Sequence, residues 1–104
     1  MGAEMASLTI LTYTYVADVL ERRAPHRQAH LEHVRRWSDE RGLVLAGATG
    51  DPPSGALFIF EGEPAEAEAF AAADPYGEAG LVTATLIEPW TVVTARAFDQ
   101  DPAG

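Results

Sequence analysis

Two helix-forming stretches, residues 26–42 and 64–73, each sit between strand-like runs, and this order narrows the possible folds more than any other feature of the chain. The first run, SLTILTYTYV at 7–16, is dominated by β-branched and aromatic residues, the composition of a strand. A period of two puts Leu8, Ile10, Thr12 and Thr14 on one face and Leu11, Tyr13 and Tyr15 on the other. Both faces carry bulk, as expected of a central strand. Residues 17–25 form a polar connection with room for a helical turn. The helix over 26–42 follows, with Pro25 suited to its first turn and Gly42 to its C-terminal stop. Leu31, Val34 and Ser38 make one stripe of that helix, with His30 and Trp37 beside it. Trp37 is expected to plug against the sheet, while Glu32, Arg35 and Arg36 fall towards solvent.

LVLAGA at 43–48 reads as a second strand, TGDPPSG at 49–55 as a loop and ALFIF at 56–60 as a third strand. Pro64 opens a second helix, PAEAEAFAAA, rich in strong helix formers. Pro75 biases Asp74 away from helical geometry and so ends that helix. After a GEAG turn, residues 81–96 read as a long fourth strand, bent or bulged near Pro89. The order β-α-β-β-α-β predicts a ferredoxin-like α+β domain over 7–96, with a four-stranded antiparallel sheet and helices on one face. Residues 1–6 and 97–104 are expected to be flexible tails. Tyr13, Tyr15, Phe58 and Phe60 are too apolar for both sheet faces to be wet, so a homodimer covering the sheet face is expected.

The chain has 104 residues, a one-domain length, and 47% of them are hydrophobic, enough for a packed core. Its net charge of −9 disfavours nucleic acid and anionic membrane surfaces as partners. Acid is concentrated at Glu61, Glu63, Glu66, Glu68, Asp74 and Glu78, and base at Arg22, Arg23, Arg27, Arg35, Arg36 and Arg41. That asymmetry can join two parts of one fold or two subunits. The absence of cysteine rules out disulfides, thiolate metal sites and cysteine nucleophiles. The first residues lack a basic region and an apolar signal core. No apolar run approaches the roughly 20 residues needed to span a bilayer, so the cytoplasm is the expected compartment.

His26, His30 and His33 fall at spacings of four and three and share a helical face. Imidazoles so placed can converge on a metal, but the HExxH pattern is absent. The plainer reading is one semi-buried histidine with two exposed neighbours, and no metal is expected. His30 borders the apolar stripe and should face the sheet. A histidine there can act as a general base, its ordinary pKa being about 6.5, or can be a structural group satisfied by one hydrogen bond. Asp74 is held beside a rigid proline. It can orient an imidazole, or simply bind backbone N–H groups in a turn. Arg27, one turn before His30, is a candidate for an anionic group and equally a solvated helix residue. Tyr13 and Tyr76 are candidates for lining a site; a core role for Tyr13 and Tyr15 is the plainer one.

The chain resembles the YCII-related (YciI-like) domain family. The resemblance rests on RQAHLEHV at 27–34, RGLVLAGA at 41–48, ADPYGEAGL at 73–81, IEPW at 87–90, and an aromatic first strand followed by Asp18. It implies a ferredoxin-like α+β barrel that dimerises through its sheet, and a His–Asp active-site pair that carries over to His30 and Asp74. Arg27 matches the arginine that often precedes the histidine. One branch of the family resembles dehydrochlorinases of chlorinated hydroxyquinols. The loop at 51–55 is shorter than in many relatives, so a relative's substrate does not transfer directly. The expected function is acid–base chemistry without a cofactor, of the lyase, dehydrochlorinase or isomerase kind, on a small organic acid or phenol. The alternative is a non-catalytic module that binds a small ligand or assists another enzyme.

Overall fold

The computed structural model describes residues 8–94. Strand β1 (Leu8–Tyr15) leads through one helical turn, α1 (Val19–Arg22), and a 3-10 turn (Ala24–His26) into helix α2 (Arg27–Glu40). Strands β2 (Leu43–Thr49) and β3 (Gly55–Glu61) follow as a hairpin, then helix α3 (Pro64–Ala72), the short α4 (Pro75–Glu78) and strand β4 (Val82–Trp90). The sheet order is β2-β3-β1-β4, with antiparallel neighbours throughout. This is the ferredoxin-like arrangement, with β1 in the interior of the sheet.

Three boundaries differ from expectation, each for a local reason. Pro25 lies in the 3-10 turn rather than in α2, where its missing N–H leaves no helical bond unmade. Gly42 does not cap α2; the cap is Arg41, in extended geometry at φ −125° and ψ −158°. Gly42 is instead a point of close approach: its carbonyl accepts the Glu61 N–H at 2.8 Å, and a Cβ there would lie 2.8 Å from the Glu61 carbonyl oxygen. The fourth strand ends at Trp90, and residues 91–94 are not strand; the expected continuation over 95–96, like both expected tails, lies outside the described residues. Pro89 pairs with Thr9 without a break, and the register shifts at Thr14/Tyr15 instead. An edge strand such as β4 tolerates a proline because the missing N–H can fall on its unpaired side.

The core lies between the helices and one sheet face. Leu11, Tyr13 and Tyr15 of β1 and Ala56, Phe58 and Phe60 of β3 all point there and are buried. Full burial of one such phenylalanine contributes about 1.5–3 kcal/mol. Helix α2 buries His30, His33 and Trp37, at i, i+3 and i+7, rather than the expected stripe of Leu31, Val34 and Ser38. The aromatic floor accounts for that rotation. Trp37 meets Phe60 and Phe70 edge-on, at centroid distances of 6.1 and 5.6 Å, a favoured geometry between rings. Arg41 covers Trp37 from outside at 4.1 Å and bonds Glu66 of α3 at 2.8 Å, so here the two charge clusters join two parts of one fold.

Among the described residues, no helix lies on the other sheet face. Tyr13, Tyr15, Phe58 and Phe60, which motivated a covered second face, all belong to the helix-covered side. The open side is nevertheless apolar. Thr12 pairs with Leu57 and Leu86, Ile10 with Ile59, and Leu8 with Trp90, and Leu45, Leu57, Leu86 and Trp90 are exposed. No helix among the described residues is long and apolar enough to cross a membrane.

Candidate functional site

Three elements bring polar groups together at one end of the helix–sheet interface. Strand alternation on β1 aims Tyr13 and Tyr15 towards the helices. The α2 periodicity aims His30 at the same place. The third contribution depends on Pro75, which holds Asp74 extended at φ −74° and ψ 124° between α3 and α4. From there the carboxylate caps α4, with Oδ1 accepting the Tyr76 N–H at 3.0 Å.

The same Oδ1 lies 2.7 Å from His30 Nδ1, and Oδ2 accepts the Tyr13 hydroxyl at 2.7 Å. Asp74 is fully buried. Its donors from Tyr13, His30 and the Tyr76 backbone offset the cost of removing a charge from water. An ionised carboxylate only accepts, so the His30 proton sits on Nδ1, and Nε2 is left with its lone pair. Among the described residues no protein group bonds Nε2. The imidazole is clamped as well as bonded: the Tyr76 ring stacks on it at 3.7 Å and 4°, and Phe58 meets its edge at 6.5 Å.

The two readings of Asp74 from sequence are thus both present, since one carboxylate serves the turn and the imidazole together. His30 and Asp74, 44 residues apart in sequence, are in direct contact. Tyr13 is placed differently from the expected substrate-binding role. Its hydroxyl is committed to Asp74 and it does not line the adjoining cavity. Burial first, then the Asp74 charge and hydrogen bond, push the Tyr13 hydroxyl far above the ordinary tyrosine range, so it stays a donor.

The cavity holds about 300 Å³, the small end of the range for ligand sites. His30 and Tyr76 line it, with Phe58, Val34 and Ala48 among its apolar walls. Arg27 lines it, joined by Arg23 and Tyr15, which sequence reasoning had not placed there. Arg23 carried no local signal: it lies between α1 and the 3-10 turn, in a stretch read as a connection. The Tyr15 hydroxyl is held above the ordinary range by burial, helped by Tyr76 and Asp74 and opposed by Arg23 and Arg27. The Tyr76 hydroxyl is buried with no hydrogen-bond partner among the described residues.

His33 was expected to be exposed and is buried. Its Nε2 lies 2.9 Å from the Phe70 carbonyl, to which it donates, and its ring packs on Phe70 and Trp37. His26 is half-buried. Among the described residues no group of three or more His, Asp or Glu side chains is arranged to hold a metal ion. A shallower depression of about 320 Å³ between α2 and the edge strand β2 lacks an acid–base pair.

Comparison with known proteins agrees with this architecture. The chain is similar to 5-chloro-2-hydroxyhydroquinone dehydrochlorinase from Burkholderia phenoliruptrix, solved with 2,5-dihydroxybenzoquinone. That match has a TM-score of 0.67 and 26% identity, and it covers 80% of this chain and 92% of the other. A protein of unknown function from Nitrosomonas europaea superposes with a TM-score of 0.57 at 19% identity, over 97% of this chain and 99% of the other. An antibiotic biosynthesis monooxygenase does so with a TM-score of 0.52 at 13% identity, over 85% and 99%. These last two show the fold alone, of the dimeric α+β barrel type. In sequence, the protein YciI of Escherichia coli is 37% identical over 87 residues, 74% of this chain and 89% of the relative, and that of Shigella flexneri is equally close. The model of the YCII-related domain matches residues 7–91, so that the aromatic strand, the helix bearing His30 and the turn bearing Asp74 all fall within one matched unit: the chain belongs to the YCII-related domain family.

Proposed function

We propose that this protein is a cofactor-independent acid–base enzyme acting on a small organic acid or phenol. The observation that carries the reading is His30 on the wall of a ligand-sized cavity, bonded at 2.7 Å to the fully buried Asp74. His30 Nε2 takes a proton from an acidic O–H or activated C–H of the substrate. Asp74 holds the tautomer that leaves Nε2 free and stabilises the imidazolium that forms. The released electron pair enters the substrate's π system. It then either expels a leaving group such as chloride, which is elimination, or takes the proton back at another carbon, which is isomerisation. The similarity to a dehydrochlorinase of a hydroxylated ring supports the first course. Tyr13 positions Asp74, and Tyr76 holds the imidazole plane.

The test is a panel of hydroxylated aromatics, chlorinated and not, and of small keto and hydroxy acids. Chloride release and deuterium uptake from heavy water are followed by NMR. At least one compound should react with the wild type, and His30→Ala should slow that reaction about 10²–10⁴-fold with the fold retained. Full activity in His30→Ala would sink the proposal. Tight binding across the panel with no turnover would move the protein to the non-catalytic ligand-binding reading.

We also propose that the open sheet face meets a second copy of the chain. The exposed Leu45, Leu57, Leu86 and Trp90 support this, since an apolar sheet face is rarely left wet, and so does the dimeric barrel type of the fold. Sedimentation should report a dimer that Leu86→Glu converts to monomer. A monomeric wild type at tens of micromolar would end the idea.

A further inference from the structure

The chain is strongly acidic, with a net charge of −9, yet the cavity that His30 lines is bordered by Arg23 and Arg27 and by no carboxylate. Among the described residues neither guanidinium has a carboxylate within 4.0 Å, whereas Arg22 and Arg41 are paired with Asp18 and Glu66. Arg23 is half-buried and Arg27 exposed, so the first charge is partly withdrawn from water and the second lies at the cavity mouth. Both arginines line the cavity together with Tyr15, and both act on its hydroxyl in the same direction, favouring the ionised form. The first turn of α2, which adjoins them, contains no acidic residue, so the positive end of its dipole is uncompensated there. One donor completes the group: the Tyr15 hydroxyl, on a residue that lines the same cavity and kept protonated by burial. Positive charge without a carboxylate partner among the described residues, beside a hydroxyl donor, is an arrangement that favours an anion. The planar guanidinium suits a carboxylate in particular.

We propose that Arg23, Arg27 and Tyr15 form an anion subsite in the cavity, which makes the substrate a carboxylate of single-ring size rather than a neutral phenol. A volume of about 300 Å³ admits one ring with its substituents and little more. The carboxylate occupies the arginine side, and the remaining apolar walls take the ring, leaving the reacting atom towards His30 Nε2. The inference deepens the proposed function and rests on its reading of the cavity as a substrate site. It does not depend on His30 acting as a base.

Benzoate and benzamide test it, because they share shape and differ in charge. Binding of each is measured by calorimetry to the wild type, Arg23→Gln and Arg27→Gln, with circular dichroism to verify folding. Benzoate should bind the wild type at least about tenfold more tightly than benzamide, the loss expected when a charged hydrogen-bond partner is missing. Each arginine substitution should weaken benzoate about tenfold and leave benzamide unchanged. Rising salt should weaken benzoate alone. Equal binding of the two probes, no binding of either at millimolar concentration, or an Arg23→Gln protein that holds benzoate as well as the wild type would each overturn the subsite. Neither probe has a leaving group, so these results stand apart from the proton step. An inert His30 would leave the discrimination intact, and a lost discrimination would leave the His30–Asp74 pair standing.

Discussion

His30 and His33 lie one turn apart on the same helix, with 6% and 5% of their surface exposed, yet they belong to different regions. His33 sits in an aromatic half of the interface, against Phe70 and Trp37, and gives its Nε2 proton to a backbone carbonyl. That acceptor is neutral and part of a helix, so the histidine behaves as a core residue with one polar end. His30 sits in a polar half, bonded to a buried carboxylate at Nδ1, with Nε2 turned to a cavity. Residue type and burial are the same. The partner, and what the second ring nitrogen faces, make one of them chemistry and the other structure. Asp74 is the source of the difference, because a rigid turn places its charge where it can meet both β1 and α2.

The substitution that would break this comparison most severely is Asp74→Asn. The amide keeps the shape but has only one acceptor oxygen, so it cannot take the bonds of His30, Tyr13 and the Tyr76 N–H together. Urea denaturation should show a loss of about 2–4 kcal/mol. Nitrogen-15 NMR should show the His30 proton no longer confined to Nδ1. A stability within about 0.5 kcal/mol of the wild type, the ordinary range for an uninvolved surface substitution, would mean the carboxylate is not the organising group.

His33→Leu is the matching change in the other half, and its expected cost is smaller. The Phe70 carbonyl loses the imidazole but keeps the Ala73 N–H, 3.3 Å away, so it is not stranded. Leucine fills most of the space among the aromatic rings. The expected loss is about 1 kcal/mol, and the cavity should bind ligand as before. If His33→Leu instead abolished ligand binding while the fold held, the division between the two halves would be wrong.

The halves also differed in how far they could be read from sequence. The aromatic half was legible through periodicity: Phe58, Phe60 and Trp37 declared themselves by type and spacing, and the element order followed from where the proline and glycine breaks fall. The rotation of α2 was legible only in part: His30 and Trp37 were expected towards the sheet, His33 was not. Leu31 and Val34 outrank histidine on any hydropathy scale, and only the aromatic floor, assembled from β3 and α3, makes imidazoles the better fit. The Asp74-Pro75-Tyr76 turn could be recognised locally, since proline restricts the residue before it. Its contact with His30 depends on β1 lying in the interior of the sheet and on α3 ending above it, a property of the assembled sheet that no local spacing encodes. Arg23 was hidden for a humbler reason: it falls in the stretch 17–25, read as a polar connection, and lies between a turn of α1 and a 3-10 turn.

A pH-dependent effect sharpens the role of Tyr13, which bridges the sheet to Asp74. Its folded pKa lies above the unfolded value, chiefly through burial and then through the Asp74 charge and hydrogen bond. Below about pH 10, the ordinary tyrosine value, it is protonated in both states and its contribution is fully present. As pH rises past that value the unfolded chain releases the proton and the folded one does not, so stability falls by up to about 1.4 kcal/mol per pH unit for this group. Tyr15, also raised by burial, adds a similar slope. Denaturation between pH 9 and about 11 should therefore show the wild type losing stability more steeply than Tyr13→Phe, by about one proton's worth. Equal slopes would mean that Tyr13 ionises as freely in the folded protein as in the unfolded chain. The hydroxyl would then not be held against a charged Asp74, and the carboxylate's hold on His30 would have to be argued without it.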